Sequence, residues 1–520
     1  MPERHSFYIT TAIPYANGAP HIGHAYERIA ADAFARFNRL DGRDVLFVTG
    51  MDEHGLKMQQ TAARENLTPQ TLADRTAAQF LAMGDKLNAP ADDVVRTTQK
   101  RHKAASQEIW RRMAANGDIY LTKYFGWYSV RDEAYYDESE LTANAEGQKF
   151  APTGAPVEWV EEESYFFRLS AYADRLLAHY EAHPDFVTPE KYRNEIVAFV
   201  RRGLKDLSVS RTTFDWGVKV PGDERHVMYV WVDALTNYLT GTGFPDARAP
   251  RAKFWPANAH VIGKDITRFH AVYWPAFLMS AGIALPRQIV VHGFLFNRGE
   301  KMSKSIGNVI DPMALADHYG VDALRYFFLR EVPFGQDGNY SHEAIVQRIN
   351  ADLANDLGNL AQRSLSMVAK NCGGRVPPPG VTEFADGELL SRAYDAVTRV
   401  RCAMINYAPH QALGEIWTVV GDANRYFAAQ EPWRLGKSDP ARRDAVLFTT
   451  LEALRIVGIL CQPFIPAAAS KLLDLLAVRA EERDIAHAAP EHRLFEGADL
   501  PAPSPVFPRH VEAQEEGAAQ

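Results

Sequence analysis

Two imidazoles three positions apart, His21 and His24, follow a run that includes Pro14, Gly18 and Pro20 and have Gly23 between them. At the start of a helix both rings point off one face. Unpaired N–H groups and the helix dipole favour phosphate there, and two imidazoles above it can donate to charge that grows in a transition state. Gly18 and Gly23 let the backbone come close to a ligand, because neither carries a Cβ. Taken alone, the same stretch reads more readily as a turn with two satisfied surface histidines; the lysine-rich loop far along the chain reverses that. A second candidate is Asp52 in Thr49-Gly50-Met51-Asp52-Glu53-His54-Gly55, placed either to meet a ligand's cation or to cap a turn. The third is Lys301-Met302-Ser303-Lys304-Ser305, a loop between Gly299 and Gly307 after the apolar run Ile289-Val290-Val291.

These residues need a frame to hold them. Ser6-Phe7-Tyr8-Ile9-Thr10 has the aromatic and β-branched content of a buried strand. Ile29, Ala33, Phe37 and Leu40 recur at helical spacing, and Asp41-Gly42 ends that run. Val45-Leu46-Phe47-Val48 predicts the next strand. The alternation implies a doubly wound parallel sheet with ligands beyond the strand C-termini. From Ile119 the text changes to clustered aromatics and acids, Tyr124 to Tyr128 and Glu161 to Phe167, as expected of an insertion. Arg201, Arg202, Lys205 and Arg211 follow, either as a solvated face or as phosphate contacts. Sheet-like text resumes at Met228 to Asp233 and again at Ala259 to Ile262, ahead of Gly263-Lys264-Asp265. From about Ala344 to Leu476 apolar residues recur at three and four, predicting a helical domain, with Pro377-Pro378-Pro379-Gly380 as a loop between helices. The tail from Glu496, rich in Pro, Ala and Glu, is expected to fray. The expected divisions are 1–118, 119–225, 226–292, 293–345, 346–480 and 481–520.

A chain of 520 residues exceeds one core. Its hydrophobic share of 46% and charged share of 23% are ordinary soluble values. The net charge of −8 means that any nucleic-acid contact must come from local basic patches. Met1 to Thr10 has no apolar core of a secretory signal, and no apolar run is long enough to span a bilayer, so no membrane partner is expected. Cys372, Cys402 and Cys461, odd in number and far apart, are expected to be buried thiols in a reducing compartment, the cytoplasm.

His-Ile-Gly-His followed by Lys-Met-Ser-Lys-Ser resembles the signature pair of the class I aminoacyl-tRNA synthetases. The resemblance sharpens to the methionyl-tRNA synthetases at Ala12-Ile13-Pro14-Tyr15, Tyr229 to Ala234 with Tyr238, Ile262 to Ile266 with His270, and Asn359 to Arg363 with Glu431-Pro432-Trp433. It implies an α/β fold: a Rossmann-like doubly wound parallel sheet split by a connective domain, then an all-α anticodon-binding bundle. It implies a ligase that joins methionine to ATP as methionyl-adenylate and then to tRNA(Met), initiator and elongator, with Mg²⁺ travelling with ATP.

By the same resemblance, His21, His24, Lys301 and Lys304 would be catalytic, and Asn17, Gly23, Gly263, Asp265 and Lys304 would bind ATP. Ala12, Ile13, Tyr15, Trp231, Ala234, Leu235, Tyr238, Ile266 and His270 would line the methionine pocket, with Asp52 on the α-ammonium. Sulfur–aromatic contacts, about 0.3–1.5 kcal/mol each, suit a thioether; the lesser alternative for Trp231 and the tyrosines is ordinary sheet core. Asn359, Arg363 and Trp433 would meet anticodon bases; side chains of these types also tie helix bundles together. Leu235-Thr236-Asn237 departs from the Pro-Ile-Gly of other branches while keeping an apolar wall. With no cysteine before Cys372, the zinc knuckles common in the family cannot form, and no protein-bound zinc is expected. Ending at Gln520 without a β-barrel module, the chain is expected to be a monomer. The rivals are other class I synthetases, metabolic nucleotidyltransferases of the same superfamily, and a non-catalytic tRNA-binding regulator.

Overall fold

The computed structural model describes residues 5–16, 18–131, 134–297, 300–301, 310–436 and 438–511. Six parallel strands form the central sheet, in the order Asp93–Arg96, Asp44–Met51, Ser6–Thr11, Ala259–Gly263, Ile289–His292, Val187–Thr188. Ser6–Thr11 stands in the middle, with Ile9 opposite Phe47 on one side and Ala259 on the other. The chain builds outward from that strand first in one direction and then, after the insertion, in the other. A crevice therefore opens between the C-terminal ends of Ser6–Thr11 and Ala259–Gly263, where the strand order reverses. The helix Ile22–Leu40 covers one face; its buried residues include Ala25, Ile29, Ala33 and Phe37, at the spacing the sequence shows.

The insertion contributes an antiparallel sheet in the order Leu207–Ser208, Glu158–Phe167, Ile119–Ser129, Ala134–Tyr136. At its tip Ala151, Ala155 and Val157 make a small core against Trp127, Tyr136 and Leu141. The Trp127 and Trp159 rings meet edge-on at 5.4 Å, and the Lys149 ammonium lies 4.2 Å over Trp127. Val187–Thr188, within the stretch expected as an insertion, instead pairs with Ile289–Val290 as the last strand of the central sheet.

Several expectations need correction. Met228 ends a strand, but Val230–Leu235 is helical, with the Asp233 N–H donating to the Tyr229 carbonyl. A short apolar run does not distinguish a buried helix from a strand, and burial on nearly every side removed the periodic signal. Arg211 is buried over the Tyr229 ring and donates to Ser208 Oγ, so it leaves the exposed group of Arg201, Arg202 and Lys205. The described tail does not fray. Val376 N–H donates to the Ala498 carbonyl and Leu500 N–H to the Gly374 carbonyl, while Val506 is buried. Its anchors are backbone pairings and isolated apolar residues, which carry no period. Of the cysteines only Cys461 is buried; Cys372 is half-buried and Cys402 exposed. Among the described residues no helix is long and apolar enough to cross a membrane.

The helical domain is arranged round Pro440–Cys461, in which every residue from Ala445 to Cys461 is buried. Glu452 and Arg455 pair inside it at 2.6 Å. The domain meets the sheet domain at Arg325, fully buried on Val321–Glu331. Its guanidinium bonds Asp32 of the first helix at 2.6 Å and donates to the carbonyls of Leu87, Asn88, Pro463 and Phe464. Arg325→Met leaves the buried Asp32 with only its Arg36 pair at 2.8 Å and takes a donor from four carbonyls, so it should lower unfolding free energy by about 3–5 kcal/mol. Arg401→Ala, which removes the partly exposed Arg401–Asp41 pair, should cost less than about 1 kcal/mol. Urea melts of the two variants check this; equal small shifts would count against it.

Candidate active site

His21 is the N-cap of Ile22–Leu40. Its Nδ1 accepts from the Gly23 N–H at 3.1 Å, and His24 Nδ1 accepts from the His21 N–H at 3.2 Å. The rings stack with centroids 3.7 Å apart. With both Nδ1 atoms accepting, the ring proton of each neutral imidazole sits on Nε2. A Cβ on Gly23 would come within 3.0 Å of His21 Cε1, so glycine is what lets the His21 ring fold back as a cap. The Ile22 N–H donates to the Ile310 carbonyl, which brings the chain after the lysine loop to this helix end. Lys301 pairs with Phe296 in a short ladder. Its side chain, Asn17 and Lys304 lie outside the described residues.

The first two strands are zipped together beyond their ends, with Asp52 N–H donating to the Pro14 carbonyl and Ala16 N–H to the Asp52 carbonyl. Behind this seam lies a cavity of about 570 Å³. Ala12, Ile13, Tyr15 and Asp52 line it from the strand ends. Trp231, Ala234, Leu235 and Tyr238 line it from the helical stretch that follows the insertion, and Ile266 and His270 from beyond Gly263. The same cavity reaches His21, Gly23, His24, Gly263 and Asp265. All ten residues expected at an amino-acid subsite are therefore brought together, beside the helix N-terminus.

The deep wall carries no charge. His270 Nδ1–H donates to the Ile266 carbonyl at 2.9 Å, so its Nε2 accepts from the Tyr238 hydroxyl at 2.7 Å. Burial lowers the His270 pKa to about 4, leaving a neutral ring at pH 7. Trp231 stacks on Phe269 at 3.7 Å, and Tyr238 on His260 at 4.0 Å. Apolar and aromatic surface lining the cavity, with the buried Asp52 carboxylate on its strand-end side, suits a zwitterion with an uncharged side chain.

Glu27 and His292 also line this cavity and escaped the sequence reading. The His292 Nε2 lies 2.9 Å from Glu27 Oε2. Burial pushes the Glu27 carboxyl above its ordinary range. Burial would depress His292, but Glu27 more than offsets it, and the ring is held above its usual value. Two signals could have found them: His292 ends a parallel strand, and Glu27 is a charged residue one turn past His24 on a helix face turned inward.

In the helical domain, the Arg363 guanidinium lies 5.6 Å from the Trp433 ring and 5.1 Å from Phe427. Trp433 is 46% exposed, and Asn359 stands one turn before Arg363, also exposed. The three share one solvent-facing patch.

A family model described as class I tRNA synthetases (M) matches residues 7–365, and one for the anticodon binding domain of methionyl tRNA ligase matches 376–520. The methionine–tRNA ligase of Brucella suis biovar 1 (strain 1330) is 64% identical over 516 residues, 99% of this chain and 100% of that protein. The ligase of Mycobacterium tuberculosis (strain ATCC 25618 / H37Rv) is 59% identical over 514 residues, 98% of each chain. Mycobacterium tuberculosis methionyl-tRNA synthetase in complex with methionyl-adenylate superimposes with a TM-score of 0.95 at 58% identity, covering 97% of this chain and 100% of that one. Its free-state form gives 0.90 at 55% identity, covering 98% and 99%. The chain belongs to the methionyl-tRNA synthetases, the methionine branch of the class I tRNA synthetases.

Proposed function

We propose that this protein activates L-methionine with ATP and transfers it to tRNA(Met), both initiator and elongator, acting as a cytoplasmic monomer. The observation that carries the reading is one cavity joining an uncharged aromatic pocket, the Asp52 carboxylate and the His21–His24 helix end. Relatives named for this activity match the chain from end to end.

Asp52 holds the α-ammonium, and the pocket from Ala12 to His270 holds the thioether. A neutral His270 with Tyr238 donating to it leaves no charge to be desolvated by an apolar side chain. The methionine carboxylate attacks the α-phosphorus of ATP, and the bond to the pyrophosphate oxygen breaks in line. His21 and His24 donate Nε2–H to the phosphates, while Lys301 and Lys304 neutralise the departing pyrophosphate. Asn17, Gly23, Gly263 and Asp265 receive the nucleoside and its phosphates. Mg²⁺ enters with the ATP substrate; among the described residues no three His, Cys, Asp or Glu side chains converge to hold a metal. In the second step a terminal ribose hydroxyl of tRNA attacks the carbonyl carbon, and AMP leaves. Asn359, Arg363 and Trp433 read the anticodon, Trp433 by stacking under an unpaired base. The insertion tip folds without zinc, a reading supported by the small core round Trp127 and by the lack of cysteines before Cys372.

Pyrophosphate–ATP exchange measured with each amino acid should depend on methionine; exchange driven by another amino acid, or none at all, would overturn the reading. Lys304→Ala should slow exchange by about 2.7–4 kcal/mol in barrier with methionine affinity little changed, as for loss of one transition-state donor. An unchanged rate would remove Lys304 from the mechanism. Trp433→Ala should weaken tRNA charging by roughly 1–3 kcal/mol while leaving exchange near normal. Equal damage to both steps would mark a structural tryptophan.

A further inference from the structure

Behind the amino-acid subsite, and outside its lining, lies a buried chain of three groups. His54 Nδ1 is 2.6 Å from Asp233 Oδ2, and His102 Nε2 is 2.8 Å from Asp233 Oδ1. His102 Nδ1 is 3.0 Å from Thr240 Oγ1, and Ser106 Oγ is 3.1 Å from His102 Nε2. Asp233 is 1% exposed, and both histidines are as deeply buried. Burial works to raise the Asp233 pKa, but the two facing histidines more than offset it and hold the carboxyl well below the usual range. It is an anion at every physiological pH.

Each member comes from a different element. His54 stands two residues after Asp52, on the loop beyond Asp44–Met51. Asp233 lies on Val230–Leu235, between Trp231 and Ala234, which line the cavity. His102 belongs to the helix Lys100–Ala115 behind them. The other ties of the Asp52 loop run elsewhere. Glu53 bonds Arg96 at 2.6 Å and Thr98 at 2.5 Å, and Trp216 Nε1–H donates to the Glu53 carbonyl. The His54–Asp233 bond links this loop to the helix that carries the pocket wall. An amino acid held by its ammonium and its side chain at once has a bounded reach, so the separation of Asp52 from the Trp231–Leu235 wall must match the bound conformer.

We propose that Asp233, acting through His54 and backed by His102, is a positioning residue of the amino-acid subsite that keeps Asp52 in register with the Trp231–Leu235 wall. This deepens the methionine-activation reading and rests on it.

The geometry makes an asymmetric test. An asparagine amide nitrogen occupies the place of a histidine Nδ1, and a glutamine amide nitrogen that of Nε2. His54→Asn therefore keeps the donor to Asp233. His54→Gln moves it to the Nε2 position, where no partner stands among the described residues. At position 102 the order reverses, because there Nε2 faces Asp233.

The experiment is methionine-dependent pyrophosphate–ATP exchange on the full chain, with a thermal melt of each variant. His54→Gln, His102→Asn and Asp233→Asn should raise KM for methionine about tenfold or more, with KM for ATP within about twofold. His54→Asn and His102→Gln should stay within about threefold of wild type in KM for methionine. The proposal is overturned if Asn and Gln behave alike at both positions, or if KM for ATP rises in parallel. It is overturned equally if KM for methionine follows the melting temperature across the variants, as a purely structural network would require. Should Asp233→Asn fail to fold, the two histidine pairs decide alone. A wild-type enzyme without methionine-dependent exchange would instead sink the functional reading, so the two failures are distinct.

Discussion

The structure depends on one pairing, the parallel ladder between Ser6–Thr11 and Ala259–Gly263. It brings together segments about two hundred and fifty residues apart and closes the sheet where its strand order reverses. Local hydrogen bonds lock it. Tyr8 N–H donates to Asn258 Oδ1, Asn258 N–H returns to the Tyr8 carbonyl, and Thr10 Oγ1 bonds His260 Nδ1 at 2.8 Å. The Tyr8 hydroxyl then donates to the Tyr238 carbonyl, and the Tyr238 ring rests on His260. The same side chains that fasten the two halves of the sheet thus set the floor of the pocket. A change in this ladder moves the site, since close-packed side chains transmit displacement rather than absorb it.

Around this pairing the electrostatics are graded. The deep wall is neutral because burial keeps His270 uncharged, and its tautomer is dictated by the Ile266 carbonyl. Ionisable groups face one another across elements: Glu27 against His292, Asp233 between His54 and His102, and Arg325 against Asp32. Each such pair joins two elements distant in sequence. Ion pairs of this kind add little net stability over apolar packing, but a misaligned one is costly, so they favour one relative placement of the elements. At Arg325 all five guanidinium N–H groups are engaged, which ties the first helix, whose N-terminus is the His21 cap, to the helical domain.

Much of this was legible without coordinates where the signal is local. The His21–His24 spacing, the glycines beside it, the strand Ser6–Thr11 and the period of Ile22–Leu40 each follow from neighbours within a turn or a strand. Resemblance extended this to the ten residues gathered round the cavity, because motifs carry their partners with them. It gave no role to Glu27 or His292, nor to the Asp233 chain, although Asp233 stands within Tyr229 to Ala234 and His54 two residues after Asp52. Nor did it give the helix Val230–Leu235, where uniform burial erased the period that separates helix from strand.

The amino-acid sequence by itself determined the chemistry available: two imidazoles at a helix start, a carboxylate past a strand, lysines on a glycine-flanked loop, aromatics without cysteine ligands. It determined most elements too, since helix and strand propensity act over a few residues. Tertiary structure alone decided which charges face each other, which ring nitrogen carries a proton, that Arg211 is buried and Cys402 exposed, and that the Pro-rich tail docks on Gly374 and Val376. These depend on contacts between residues far apart in the chain. The free energy of burying a charge or a backbone group is set by what arrives opposite it, and no local pattern encodes that arrival.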